Sequence, residues 1–208
     1  MDTMQENKWL KVAGEGESLN LIEIEGALLL ELLEGVSTHA SKDKSLTALY
    51  AVQIEGGGGL FIARATDRYR LIEGNIATLA GDLDKALISL EDIKRIITLL
   101  KAHKGHLISF TRLGDALTIS ALGDAITFTL LDNNYPAFSE LFAKAEGDPV
   151  AVESMAFNPA FMADYGKIAG KGNAIKIYFN GENKPIRVRI TGDKITWRAL
   201  LMPMRYVD

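Results

Sequence analysis

The stretch Ala86-Leu87-Ile88-Ser89-Leu90-Glu91-Asp92-Ile93-Lys94-Arg95-Ile96-Ile97 reads as a strand that runs directly into a capped helix. Ser89 and Asp92, three apart, have the spacing of a capping-box-like pair that satisfies first-turn backbone donors. Ile93, Ile96, Ile97 and Leu100 then recur at the helical period and predict the buried stripe, with Gly105 as a fitting stop. Three strands are predicted next, at 106–112, 116–121 and 125–131, with Gly114-Asp115 and Gly123-Asp124 at their turns.

Working outward, the same unit of strand, helix and three strands occurs on either side. Upstream, 19–25 alternates as a strand, and 27–36 predicts a helix with Leu29, Leu32, Leu33 and Val36 on one face. Strands at 46–55, 60–65 and 69–75 follow, the first two joined through Gly56 to Gly59. Downstream, 150–156 predicts a strand, Asn158 an N-cap and Pro159 the first helical residue, where a missing N–H costs nothing. Phe161, Tyr165 and Ile168 follow at i, i+4 and i+7, and Gly170 to Asn173 closes the helix. Strands at 174–180, 185–191 and 194–202 complete the copy, with turn chemistry at Asn180-Gly181 and Gly192-Asp193.

Three tandem copies predict an α+β fold of repeated β-α-β-β-β half-units, with helices on one face of a curved antiparallel sheet. The first two copies predict one domain, 1–142. The polar stretch 143–149 reads as a linker, and 150–208 is a third half-unit.

Composition narrows the functional classes. A chain of 208 residues buries a sizeable core, and 48 % hydrophobic with 24 % charged residues is ordinary for a folded soluble protein. The absence of cysteine excludes disulfides, thiolate metal sites and cysteine nucleophiles, and suits a reducing cytoplasm. No apolar run reaches the roughly 18 residues that span a membrane, and the start, with Asp2 and Glu6, is unlike a secretion signal. The net charge of −4 argues against tight non-specific nucleic-acid binding and leaves room only for weak contact or a local basic patch.

No catalytic constellation is legible. His103 and His106 lack a third ligand at metal spacing and read as solvent-exposed. The four glycines at 56–59 are not followed by Lys-Ser or Lys-Thr, so they read as a hairpin loop and not a phosphate cradle. Glu23 with Glu25, and Asp82 with Asp84, sit in or beside strands and turns and read as surface. No serine stands in a nucleophile elbow. The expectation is a non-enzyme without cofactor or metal.

Three short segments carry a resemblance: Ala65-Thr66-Asp67-Arg68-Tyr69-Arg70-Leu71, Asn134-Tyr135-Pro136-Ala137-Phe138 and Leu200-Leu201-Met202-Pro203-Met204-Arg205-Tyr206. With the Phe157-Asn158-Pro159 helix entry and the order of repeats, they make the chain resemble the bacterial β sliding clamp, the processivity subunit of the replicative polymerase (DNA polymerase III β subunit family). Residues 19–142 look like the middle domain of such a clamp, and 150–206 like the second half of its last domain.

The resemblance implies the DNA-clamp fold, in which domains close into a ring with helices lining the hole. It also implies a non-catalytic role, with double-stranded DNA, the DNA polymerase, other proteins bearing clamp-binding motifs and a clamp loader as partners. The partner-peptide cleft implied here has Thr66, Arg68, Tyr69, Arg70 and Leu71 on one wall. Pro136, Phe138 and Leu141 form its floor, and Leu200, Met202, Pro203, Met204 and Arg205 its other wall. Such a cleft needs apolar surface with a few polar groups, and methionine's flexible thioether adapts to varied anchors. Phosphate contacts fall to Lys94, Arg95, Lys101 and Lys104 on the second helix and to Lys167 and Lys171 on and after the third. The first helix offers Glu31 and Glu34 instead.

Two departures stand out. The family's turn is usually Thr-Asp-Gly-His-Arg-Leu, and Arg68 in place of that glycine predicts a backbone that does not readily take φ > 0. Counterparts of the first domain and of the first half of the last domain have no match within the 208 residues. A ring of twelve half-units then needs four such chains, a homo-oligomer, and the compact architecture points to a phage or mobile element. The alternative is a clamp-derived, non-ring module that binds or sequesters clamp-binding peptides.

Overall fold

The computed structural model describes residues 20–132 and 134–205; Leu19, Tyr206 and the flanking ends lie outside the described residues. β1 (Asn20–Glu25) enters α1 (Gly26–Ser37) without a loop. Ile22 and Ile24 of β1 are fully buried, as are Leu29, Leu32, Leu33 and Val36 on the predicted face of α1. β2 (Ala51–Gly57) and β3 (Leu60–Thr66) form a hairpin through Gly58 and Gly59. Both of those glycines have positive φ, +61° and +80°, as a two-residue primed turn demands. β4 (Arg70–Ala77) and the short β5 (Ala80–Gly81) complete the first copy.

The second copy consists of β6 (Leu83–Ser89), α2 (Leu90–Ala102), β7 (Leu107–Leu113), β8 (Ala116–Ala121) and β9 (Asp124–Thr129). Its cap forms as predicted: Asp92 N–H donates to Ser89 Oγ at 3.1 Å, and Ser89 Oγ donates back to Asp92 Oδ2 at 2.7 Å. The buried stripe is Leu90, Ile93, Ile96, Leu99 and Leu100, and Ile97 lies only half-buried beside it.

α3 (Phe138–Ala145) was not foreseen and takes in residues 143–145 of the stretch read as a linker. The third copy then provides α4 (Pro159–Ala169), β10 (Ile175–Tyr178), β11 (Ile186–Thr191) and β12 (Thr196–Leu201). Asn158 caps α4 by accepting the Ala160 N–H at 2.9 Å.

Two antiparallel sheets result, in the orders β5-β1-β7-β8-β9 and β10-β11-β12-β4-β3-β2-β6. The first two copies exchange their leading strands: β1 pairs with β7, and β6 pairs with β2. The third copy joins through β12, which pairs with β4 and continues its sheet. Trp197 on β12 locks this seam. A Cβ at Gly74, its cross-strand partner, would stand 2.5 Å from the indole, and one at Gly35 of α1 would stand 2.7 Å away. These two glycines make room for the ring, which is 3 % exposed.

Four sequence expectations need correction. Residues 46–50 form a turn, and β2 begins only at Ala51. Gly105 is not the stop of α2; the helix ends at Ala102 with His103 as its C-cap. His103 is not freely exposed, since its side chain is 12 % accessible and Nε2 lies 2.8 Å from Asp124 Oδ2. The strand expected at 150–156 does not form, and only an isolated bridge between Ala156 and Met204 marks its place.

Candidate functional site

The pairing of β12 with β4 sets Leu200 directly opposite Leu71, and Leu201 opposite Arg70. Past the end of both strands, Met202 N–H donates to Tyr69 O at 2.8 Å. Two segments 130 residues apart in sequence thereby become one continuous wall. α3 packs against it. Phe138, Phe142 and Ala145 form a small buried cluster with Leu71 and Leu200, separate from the main core, and Tyr135 lies at its edge. Tyr135 stacks on Phe138 with centroids 5.6 Å apart, and Phe142 carries the Arg198 guanidinium 4.1 Å from its centroid. Burial pushes the Tyr135 phenol above its ordinary value. The aromatic i, i+4 spacing of Phe138 and Phe142 was the available signal for α3.

Around this cluster the nominated cleft residues divide by exposure. Tyr69 is 62 % exposed, Met204 54 %, Met202 41 % and Leu141 36 %. Soluble proteins do not commonly group large apolar side chains in this way without a use for them. Pro136 and Pro203 are half-buried, and Arg205 is exposed. Leu71, Leu200 and Phe138 form the buried bed beneath them.

The turn at 66–70 is built by its own polar groups. Thr66 Oγ1 donates to Arg70 O at 2.8 Å, and Asp67 Oδ1 accepts from the N–H groups of Tyr69 and Arg70. These bonds hold Arg68 at φ = +80°, against the expectation from its side chain. The strain of a non-glycine residue there, about 1 kcal/mol, is offset by the Asx-turn bonds on either side.

Arg70 does not point its charge into the cleft. Its buried guanidinium donates to Asp67 Oδ2, Asp164 Oδ2 and Thr38 O and lies 4.1 Å from the Phe161 ring centroid. It therefore ties β4 to α4 and to the end of α1. Burial alone would raise the Asp164 carboxyl, but hydrogen bonds from Lys167 and Arg70 outweigh it and hold the group below its usual range. Glu73 behaves in the same way. It is buried yet held low by Arg198 and Arg64, and the Arg198 contact is a second polar tie between β4 and β12.

The helical face is of mixed charge. Lys94, Lys104 and Lys171 are exposed, but Arg95 pairs with Asp92, Lys101 with Glu34 and Lys167 with Asp164. Lys104 and Lys167 share a groove of about 440 Å³ with Glu31 and Glu34, over a floor that includes Leu30, Ile168 and Trp197. Three of the six nominated cations, Arg95, Lys101 and Lys167, thus already face carboxylates.

No group of three or more metal-ligating side chains gathers among the described residues. No described helix is long and apolar enough to cross a membrane.

No family model matches the sequence, and no curated protein matches it. Solved structures do match, and together they define the class: the chain has the fold of DNA sliding clamps. The DNA polymerase III β subunit of Thermotoga maritima superposes with a TM-score of 0.78 at 18 % identity, over 94 % of this chain and 68 % of that one. The sliding clamp of Bacillus subtilis gives 0.75 at 18 % identity, over 93 % and 66 %. That of Caulobacter crescentus gives 0.75 at 16 % identity, over 94 % and 68 %. The chain thus spans about two thirds of the length of the clamps it matches.

Proposed function

We propose that the chain is a short DNA sliding clamp that tethers a polymerase and other replication proteins through the cleft between β4, β12 and α3. The observation that carries this reading is the wall made by Leu71 opposite Leu200 and the Tyr69–Met202 hydrogen bond, with Tyr69, Met202 and Met204 exposed along it. An extended peptide with apolar and aromatic anchors suits such a surface, its side chains seated on the methionines above an unyielding aromatic bed. Arg70 acts as a positioning residue, since it braces the turn from behind. In this reading the first two copies, 1–142, are one domain, 143–149 links it to the third half-unit, 150–208, and four chains close the ring.

A second reading is a non-ring module that captures clamp-binding peptides. The helical face favours it, because Arg95, Lys101 and Lys167 already face carboxylates and the first helix adds Glu31 and Glu34. Loading on circular and linear duplexes separates the two. A clamp is retained on nicked circular DNA and slides off after linearisation, whereas the module is retained on neither. Replacing Lys94, Arg95, Lys101 and Lys104 by Gln is expected to weaken DNA contact and flatten its salt dependence. An unchanged salt slope removes this face from the proposal.

A further inference from the structure

The three copies share a contact that the third leaves half made. In each, the residue three places before the helix accepts a backbone hydrogen bond from the segment that follows the third strand after the helix. Leu79 donates to Glu23 O at 3.0 Å, Leu131 to Leu87 O at 2.9 Å and Met204 to Ala156 O at 2.8 Å. The segment before α4 is therefore already seated as a leading strand along one of its two edges.

In the first two copies the other edge is taken by the neighbouring copy. Ile24 and Ile22 stand opposite Ile108 and Phe110, and Ile88 and Ala86 stand opposite Val52 and Ile54. All eight side chains are buried. At the same places in the third copy stand Phe157 and Met155 on the leading segment and Ile175 and Ile177 on β10. All four are only half-buried. β10 is the outer edge of its sheet, and Val150 N–H reaches only Phe179 O, just past its end. α1 packs against α2, whereas α4 buries only Tyr165 and Ala169 and leaves Phe161, Met162 and Ile168 half-buried.

We propose that the third half-unit completes itself with a second copy of this chain. The half-unit carries both an unused leading strand and an unused receiving edge, so it is complementary to itself. A two-fold axis satisfies both at once, as an isologous interface requires. Residues 154–157 of one protomer pair antiparallel with β10 of its partner, and the reverse. The register follows from the two internal examples: Phe157 opposite the partner's Ile175, Ala156 opposite the partner's Lys176 and Met155 opposite the partner's Ile177. The free strand edge, a hazard for uncontrolled association, is thereby closed. The absence of the expected strand at 150–156 has the same cause, since a leading strand needs the edge that the second copy supplies. The dimer holds six half-units as three complete pairs, and β9 stays an outer strand of its sheet in each protomer. None of this depends on peptide binding in the cleft.

The natural chain has no cysteine, which makes a cross-link unambiguous. Sedimentation of the wild type is expected to give at least twice the chain mass of 22.7 kDa, and four times that mass where two such dimers close the ring of the first reading. The double variant Ala156→Cys with Lys176→Cys is expected to form a covalent dimer on mild oxidation, and each single variant to remain uncross-linked in a denaturing gel. Facing cysteines in an antiparallel pair lie within disulfide reach. A wild type that stays at 22.7 kDa up to on the order of 100 µM overturns the proposal. So does a wild-type dimer whose double variant fails to cross-link, because the contact then lies elsewhere.

Discussion

Leu71 on β4 faces Leu200 on β12 across one rung of the sheet, and Phe138 and Phe142 of α3 close over the pair. The rung joins the first copy to the third. The apolar bed of the candidate cleft and the seam between half-units are thus the same few side chains.

That dual role gives the first prediction. Leu200→Ala opens a cavity under α3 and is expected to cost about 2–4 kcal/mol of stability. Chemical denaturation measures the loss. At temperatures where the variant stays folded, affinity for a cleft peptide should fall as well, because the bed beneath Met202 softens.

The seam is tested at Gly74. A methyl there would stand 2.5 Å from both the Trp197 indole and Leu32 Cδ1. Gly74→Ala is expected to destabilise by about 1–3 kcal/mol, as overpacking does. Hydrogen exchange should locate the damage by faster exchange in β12 than in β8. Equal protection of the two strands would argue against Trp197 as the lock.

Arg68 carries a strain that glycine would relieve. Arg68→Gly is expected to raise stability by about 1 kcal/mol, a shift of a few degrees in Tm by calorimetry. A lower Tm would mean that the arginine side chain contributes more than its backbone costs.

His39 gives a pH dependence. It is fully buried against Tyr165, and burial, reinforced by the nearby Arg70 charge, lowers its pKa from 6.5 to about 3. The folded imidazole is therefore neutral where the unfolded one binds a proton. Its contribution is fully present above pH 6.5 and is lost as pH falls from there towards 3. Between pH 6.5 and 5 the slope should approach about 1.4 kcal/mol per pH unit. The held-down carboxyls of Glu73 and Asp164 act only at lower pH. Denaturation at pH 7 and pH 5 checks this, with His39→Phe expected to flatten the difference.

Much of the fold was legible because its punctuation is local. The Ser89–Asp92 cap, the Asn158-Pro159 helix entry and the Gly58-Gly59 turn each fix an element within a few residues. The strand at 150–156 was misread for a long-range reason: a strand needs a neighbour, and Ala156 finds only Met204. Arg68 was misread because the Asx turn at Asp67, not the residue's own preference, sets its φ. Sequence named the two segments that β4 and β12 set side by side but could not orient Arg70. Its partner Asp164 lies 94 residues away, on a helix whose packing no local pattern predicts.

The central claim is that the surface over Leu71 and Leu200 binds a short partner peptide. The direct measurement is fluorescence anisotropy with a labelled clamp-binding-motif peptide from a bacterial replicative polymerase, on the wild type and on the double variant Met202→Ala with Met204→Ala. The account predicts saturable binding by the wild type and at least a tenfold loss, about 1.4 kcal/mol, in the variant, with an unchanged circular dichroism spectrum and Tm. No saturable binding by the wild type, or equal affinity in the two proteins, would contradict it.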